Sequence, residues 1–371
     1  MNTGIKRDEE KMVEIRWTRN IVLIILIATF VWQANAQAGT DTTVNAGHDL
    51  RYLIPQTVSP QARAVYERMS PPADVRLKVF KLPITLADFD ALYAKSLTAG
   101  EVSSAPLVKA LGVTNADMRL GGVSVLETKP PNYHDDGTVL IRVHGGDFIL
   151  GSARSNAGAD AEMAVATGKR ILSVDYTVAP RGKWPLVTDQ VIAVYKAVLA
   201  QGYEPHSIGM FGDSAGGNIV PASILKLRNN GMPMPGAVVM LSACVDLHLN
   251  GDTETTLGDA DPAINVRDVM PGIKAYADPS DWDNPYASPI YGDFTKGFPP
   301  VLLQVGTREI LLSDSVRFYQ AIKTAGGEAE LEVYEGMTHE FQVYMMNTPE
   351  QKEAYAEIQR FWLRHLQPTK R

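Results

Sequence analysis

The chain of 371 residues is long enough for one large domain with an appendage, and its 45% apolar and 21% charged content is that of an ordinary globular protein rather than a disordered or fibrous one. A formal net charge of −7, with no basic stripe interleaved with aromatic residues, argues against a nucleic-acid surface, which needs clustered Lys and Arg to meet phosphate. Cys244 is the only cysteine, so no intramolecular disulfide can form and stability must come from packing.

At the N-terminus, Arg16 and Arg19 precede an apolar run from Ile21 to Val31 that leads to Ala34-Asn35-Ala36. This is the pattern of a signal peptide over residues 1–36, cleaved near Ala36, and it predicts a periplasmic or secreted protein. The run falls short of the roughly 20 apolar residues that span a bilayer, so retention as an uncleaved anchor is the alternative. Asp8, Glu9 and Glu10 are unusual before such a run, and translation from Met12 would remove them.

From Gly47 to about Leu111 the pattern is helical, punctuated by Pro55, Pro60, Pro71, Pro72, Pro83 and Pro106, and residues 37–115 are expected to form a helical cap portion. After Leu120 short β-rich runs alternate with helical ones: Val123 to Glu127, Thr138 to Val143, Arg170 to Asp175, Ser207 to Phe211, Ala237 to Leu241, Val301 to Val305 and Ala329 to Tyr334. Alternation of this kind predicts an α/β domain over residues 116–371, its parallel strands covered by helices on both faces. Leu311, Phe318 and Ile322 recur at helical spacing, as do Ala354, Ile358, Phe361 and His365 near the end. Cys244 lies in the apolar run Val238 to Val245 and reads as a buried, inert thiol. Residues 247–289 are polar and rich in Asp and Pro, too long for a simple connection, and read as an inserted lid.

The most specific motif is Gly212-Asp213-Ser214-Ala215-Gly216, between the strand-like Ser207 to Phe211 and a helical run. A tight strand-to-helix turn thrusts the serine outward, and small neighbours let the backbone bend and the helix pack close. A serine N-cap in a glycine-rich turn is the plain structural alternative. Pro221, inside the following helix, is expected to kink it.

His144-Gly145-Gly146-Asp147 follows the apolar strand Val139 to Val143. Its glycines can turn main-chain N–H groups toward a developing anion, and Gly145, Gly146 and Ala215 are the expected donors. The base should lie past the last strand, where Gly336-Met337-Thr338-His339-Glu340-Phe341 places His339; His48, His134, His206, His248 and His365 have no such context. The acid should follow the strand Val301 to Val305, where Glu309 is favoured and Asp314 reads as a solvated or capping charge on the next helix.

These segments, with Asp175-Tyr176-Thr177-Val178-Ala179-Pro180, resemble in order and spacing the hormone-sensitive-lipase-like esterases of the α/β-hydrolase fold, from roughly Gly121 to the C-terminus. The resemblance implies an eight-stranded, mostly parallel sheet, with a cap built from the N-terminal helices and the segment after the sixth strand. It also implies hydrolysis of carboxylic esters, and a scaffold role behind the oxyanion hole for Asp175, Tyr176, Ala179, Pro180, Trp184, Pro185 and Asp189. Two departures stand out: Asp147 replaces a third glycine, its side chain expected to point away from the anion, and Glu309 replaces the usual aspartate.

Together these readings predict a serine carboxylesterase for short- to medium-chain esters, working through an acyl-enzyme on Ser214. A lactonase, amidase or deacetylase would use the same triad, and a catalytically silent small-molecule receptor is the reading from another class. The expected partner is a small-molecule ester, with a homodimer as a candidate assembly. No cofactor or metal is expected: the chain has no His-Glu-x-x-His helix, cysteine cluster or calcium-loop spacing, and Asp259-Ala260-Asp261-Pro262 reads as a lid turn.

Overall fold

A computed structural model describes residues 53–69, 83 and 85–369. The segment read as a signal peptide, residues 1–36, lies outside the described residues. Two helices open the described chain, α1 (Pro60–Met69) and α2 (Leu86–Leu111). Thr85 starts α2 through a capping box: its hydroxyl accepts the Asp88 N–H while the Asp88 carboxylate accepts the Thr85 N–H, so two otherwise orphaned amides are satisfied. Then come β1 (Thr114–Leu120), β2 (Val123–Lys129), β3 (Val139–Val143), α3 (Ala157–Thr167), β4 (Ile171–Val174), α4 (Trp184–Ala200), β5 (Ile208–Asp213), α5 (Ala215–Asn229) and β6 (Ala237–Leu241). The remainder is α6 (Asp252–Thr256), α7 (Val266–Tyr276), β7 (Val301–Arg308), α8 (Leu312–Thr324), β8 (Ala329–Thr338), α9 (Phe341–Tyr344) and α10 (Pro349–His365).

The strands form one eight-stranded sheet in the order β1-β2-β4-β3-β5-β6-β7-β8. β2 pairs antiparallel with both β1 and β4, and every other pair is parallel. Seven strands match the runs read from sequence. β1 was not anticipated: TNADMRL is mostly exposed and lacks the apolar alternation of a half-buried strand, because it is an edge strand held by its hairpin with β2. It begins at Thr114, inside the portion expected to be helical.

Alternate side chains of the central strands enter separate cores, which is why these strands read as continuous apolar runs. Ile141, Met210, Val238 and Leu303 pack with Val191 of α4, Ile219 of α5 and Phe318 of α8. On the other face Leu140, Phe211, Val239 and Leu302 pack with Met163 of α3 and with Ile358, Phe361 and Trp362 of α10. Each fully buried large apolar side chain contributes roughly 1.5–3 kcal/mol. The helical spacing read for Ala354, Ile358 and Phe361 is thus the buried stripe of α10, a helix capped by Thr348 accepting from the Gln351 N–H at 3.2 Å. α5 runs through Pro221, where a kink was expected, as one continuous helix. Among the described residues no helix is long and apolar enough to cross a membrane.

Candidate active site

Ser214 sits between the end of β5 and the start of α5 with φ 50° and ψ −114°. A left-handed φ is unfavourable for a residue with a Cβ and persists only where surrounding bonds enforce it. Here β6 and the residues after it clamp both sides of the peptide: the Ser214 N–H donates to the Leu241 carbonyl at 2.9 Å, and the Cys244 N–H to the Ser214 carbonyl at 3.3 Å. The hydroxyl is left facing a cavity.

His339 follows β8 directly, and its Nε2 lies 3.0 Å from Ser214 Oγ. Its Nδ1 lies 3.2 Å from Glu309 Oε2. Glu309 follows β7, is fully buried, and accepts the Gly306 N–H with its other oxygen at 3.3 Å. A carboxylate only accepts, so Nδ1 carries the ring proton and Nε2 presents its lone pair to the hydroxyl. Burial pushes the imidazole pKa down, but the Glu309 hydrogen bond and the charges of Glu340, Glu309 and Asp261 outweigh it and push it up to about 9.

The loop after β3 forms the opposite wall. Gly146 has φ 110°, and a Cβ there would fall 2.5 Å from the Leu150 carbonyl oxygen, so only glycine fits. Asp147 and Phe148 follow with φ 53° and 62°, which turns successive amides to one side. The expectation for Gly145 fails: its N–H donates to Asp213 Oδ2 at 2.9 Å and is not free for a ligand. Among the described residues the amides of Gly146, Asp147 and Ala215 donate to no protein acceptor, so the Asp147 amide, unlike that of Gly145, is uncommitted. The Asp147 carboxyl lies against the backbone of Gly272 in α7, where a Cβ would fall 2.2 Å from Oδ2. Burial and the nearby Asp268 raise its pKa well above the usual carboxylate range, favouring the neutral form.

Beneath this loop lies a buried charge network that sequence reading missed. Arg142 Nη2 donates to Asp213 Oδ1 at 2.9 Å and Nη1 to Asp160 Oδ1 at 2.7 Å. Burial alone would raise the Asp213 pKa, but Arg142, the Gly145 amide and His144 hold it below the usual range. Asp213 therefore joins the serine turn to the glycine loop as an ionised acceptor. The available signal was a lone arginine within the apolar run VLIRV, since buried charges are paired. His144 Nδ1 donates to the Gly145 carbonyl at 2.7 Å, its ring stacks on Tyr176 at 4.3 Å, and the Tyr176 hydroxyl donates to the His144 carbonyl at 3.1 Å. The segment from Asp175 to Pro180 thus touches the loop from behind, with Ala179 N–H donating to the Phe148 carbonyl at 2.8 Å.

Asp314 differs from its expected role. Its side chain is fully buried and Oδ2 accepts the amides of Val245 and Asp246 at 2.6 and 3.1 Å, so it braces the chain after β6 instead of facing solvent. His248 pairs with Asp283 at 3.0 Å and His365 packs on Phe361, both apart from Ser214. Cys244 is buried, as expected, and burial raises its thiol pKa well above the ordinary value. Ser214 and His339 open into a cavity of about 560 Å³, whose walls include Leu92 and Ala99 of α2, Ile149, and Ile264 and Val269 from the segment between β6 and β7.

A family described by the alpha/beta hydrolase fold matches residues 140–343. An esterase of Acinetobacter venetianus is 35% identical over 246 residues, covering 66% of this chain and 80% of the relative. An acetyl-hydrolase of Streptomyces hygroscopicus is 32% identical over 244 residues, covering 66% and 81% respectively. Among solved structures, an esterase from the bacterial hormone-sensitive lipase family superposes with TM-score 0.71 at 32% identity, over 83% of this chain and 99% of that one. Esterase E25 superposes with TM-score 0.78 at 27% identity, over 90% and 99%. The chain belongs to the hormone-sensitive-lipase-like esterases, ester-bond hydrolases of the alpha/beta hydrolase fold.

Proposed function

We propose that the protein hydrolyses short- to medium-chain carboxylic esters through an acyl-enzyme on Ser214, with His339 as general base, Glu309 as its orienting acid, and the amides of Gly146, Asp147 and Ala215 as oxyanion donors. The observation that carries this reading is the unbroken chain from Ser214 Oγ to His339 Nε2 at 3.0 Å and from Nδ1 to Glu309 Oε2 at 3.2 Å, opening into the cavity. Ser214 Oγ attacks the ester carbonyl as Nε2 takes its proton, and the carbonyl oxygen becomes an anion held by the three amides. His339 passes that proton to the departing alkoxide, leaving the acyl group on Ser214. Water then loses a proton to Nε2 as it attacks the acyl carbon, and the proton returns to Ser214 Oγ as the carboxylic acid leaves. Glu309 fixes the tautomer throughout and stabilises the imidazolium.

A cavity of about 560 Å³ with aliphatic walls suits acyl chains of modest length. In the same reading α1 and α2, within residues 37–115, and the insertion 247–289 form a cap over the catalytic domain. Residues 1–36 direct export to the periplasm or the exterior, and a homodimer is the candidate assembly. Ser214→Ala tests the reading: kcat should fall by about four to six orders of magnitude with the thermal transition retained. A fluorophosphonate should label wild type once, at Ser214. A panel of p-nitrophenyl esters of graded chain length, lactones and anilides places the substrate, and faster turnover of lactones or anilides than of esters would replace the carboxylic ester in this proposal. N-terminal sequencing of protein exported to the periplasm should begin after Ala36.

A further inference from the structure

Asp261 lies between α6 and α7, in the turn Asp259-Ala260-Asp261-Pro262, and is only 2% exposed. Oδ1 accepts the amides of Ala263 at 2.8 Å and Ile264 at 3.1 Å, and both residues line the cavity. Oδ2 accepts the Ile310 amide at 2.9 Å, and Ile310 is the residue after Glu309. On the other side of Glu309, Arg308 Nη2 donates to the Ala260 carbonyl at 2.9 Å. The turn therefore grips the acid-bearing loop on both flanks of Glu309, while the same carboxylate shapes the start of the cavity wall that leads into α7. The desolvation of this buried carboxylate is offset by the charge of His339 and by those three amides, so its bonds hold the turn and the acid loop in one geometry.

We propose that Asp261 is a positioning residue for the reaction: its carboxylate ties the inserted segment to the loop that carries Glu309, and so keeps Glu309 on His339 Nδ1 while the cavity wall is in place. The proposal rests on the Ser214–His339–Glu309 assignment above. Four groups feel its charge or pack on its turn: His339 after β8, Tyr66 of α1, Tyr344 of α9 and Arg308 of β7. Burial pushes its pKa up to about 6, opposed by His339 and the three amides, so above that pH it is ionised and its charge helps His339 keep a proton. Loosening of the inserted segment would in turn free the Ile310 amide and with it the acid loop.

The test is Asp261→Asn, similar in size but with an amide nitrogen facing one of the backbone N–H donors and no charge. Expected is a fall in kcat of about ten- to a hundredfold with KM for p-nitrophenyl butyrate within about twofold, since misplacing a catalytic group slows chemistry more than binding. The acidic limb of kcat/KM should move to lower pH, because His339 loses a neighbouring negative charge. Asp261→Glu should return the limb to its wild-type position while kcat stays reduced, a split that a purely structural role would not produce. Wild-type kcat with an unmoved limb in Asp261→Asn overturns the proposal. If that variant shows no thermal transition, Asp261→Glu decides: reduced kcat with an unmoved limb supports positioning, and a kcat within twofold of wild type overturns it. Ser214→Ala assayed alongside separates the two failures, since turnover retained there would sink the triad assignment whatever Asp261 does.

Discussion

Glu309 and Asp314 are both buried acids close in sequence, yet they face different partners: Glu309 meets an imidazole, and Asp314 meets the amides of Val245 and Asp246. Glu309→Ala should lower kcat by about two to four orders of magnitude while leaving melting within a few degrees of wild type, because the imidazole loses its tautomer lock. Asp314→Ala should do the reverse, costing about 1–3 kcal/mol of stability in urea titrations by orphaning two buried amides, with kcat per folded molecule little changed. The pH profile belongs to this scale too. His339 acts as a base only when neutral, and its pKa is pushed up to about 9, so the neutral fraction grows as pH rises toward and past that value. Thus kcat/KM should climb between pH 7 and pH 9, and a profile already flat from pH 6 upward would show that the three neighbouring carboxylates do not act on the ring as described. That Ser214 and His339 would meet was legible from sequence, since each stands at a strand end in a compact motif. The commitment of the Gly145 amide was not, because it depends on Asp213 arriving from another strand.

Among the elements, α7 and the loop after β3 are fitted to each other through Asp147 and Gly272. The departure from a third glycine on one element is accommodated by a glycine on the other, 125 positions along the chain by the numbering of the two residues. Gly272→Ala should therefore lose about 1–3 kcal/mol of stability and most of its activity, since the new methyl would displace the Asp147 carboxyl and with it a peptide that faces the cavity. Adding Asp147→Gly should recover little of either, because the methyl would also fall 2.3 Å from the Asp147 carbonyl oxygen, which a glycine keeps. Full recovery in the double variant would show that the carboxyl alone fills this space. Sequence reading identified Asp147 as exceptional but not its partner: a glycine in a helix carries no mark of what it makes room for.

At the scale of the molecule, Ser214, Glu309 and His339 stand just past the ends of β5, β7 and β8, with β6 between the first two, and α1 returns to support the last of them. Tyr66 of α1 donates to the Gly336 carbonyl and packs with Met337, Phe341 and Met345, on either side of His339. Tyr66→Ala should cost about 3–5 kcal/mol by removing a buried aromatic, and kcat should fall with it as β8 loses its backing. Unchanged melting would show that α1 is not part of the folded unit. The alternation of apolar strands and helical stripes was enough to read the parallel sheet and its two-sided cover, because burial on both faces leaves a local signature in residue type. Sequence also determined which serine, histidine and acid come together, since each motif is local to a strand end. Tertiary structure alone decided which amides remain free, which carboxyl braces the chain after β6, that TNADMRL completes the sheet as an edge strand, and that Asp261 reaches across to the acid loop. Apart from the local hairpin of β1 with β2, those outcomes turn on pairings between residues 49 to 69 positions apart, and a hydrogen bond formed across such a distance leaves no trace in the local order of residues that makes it.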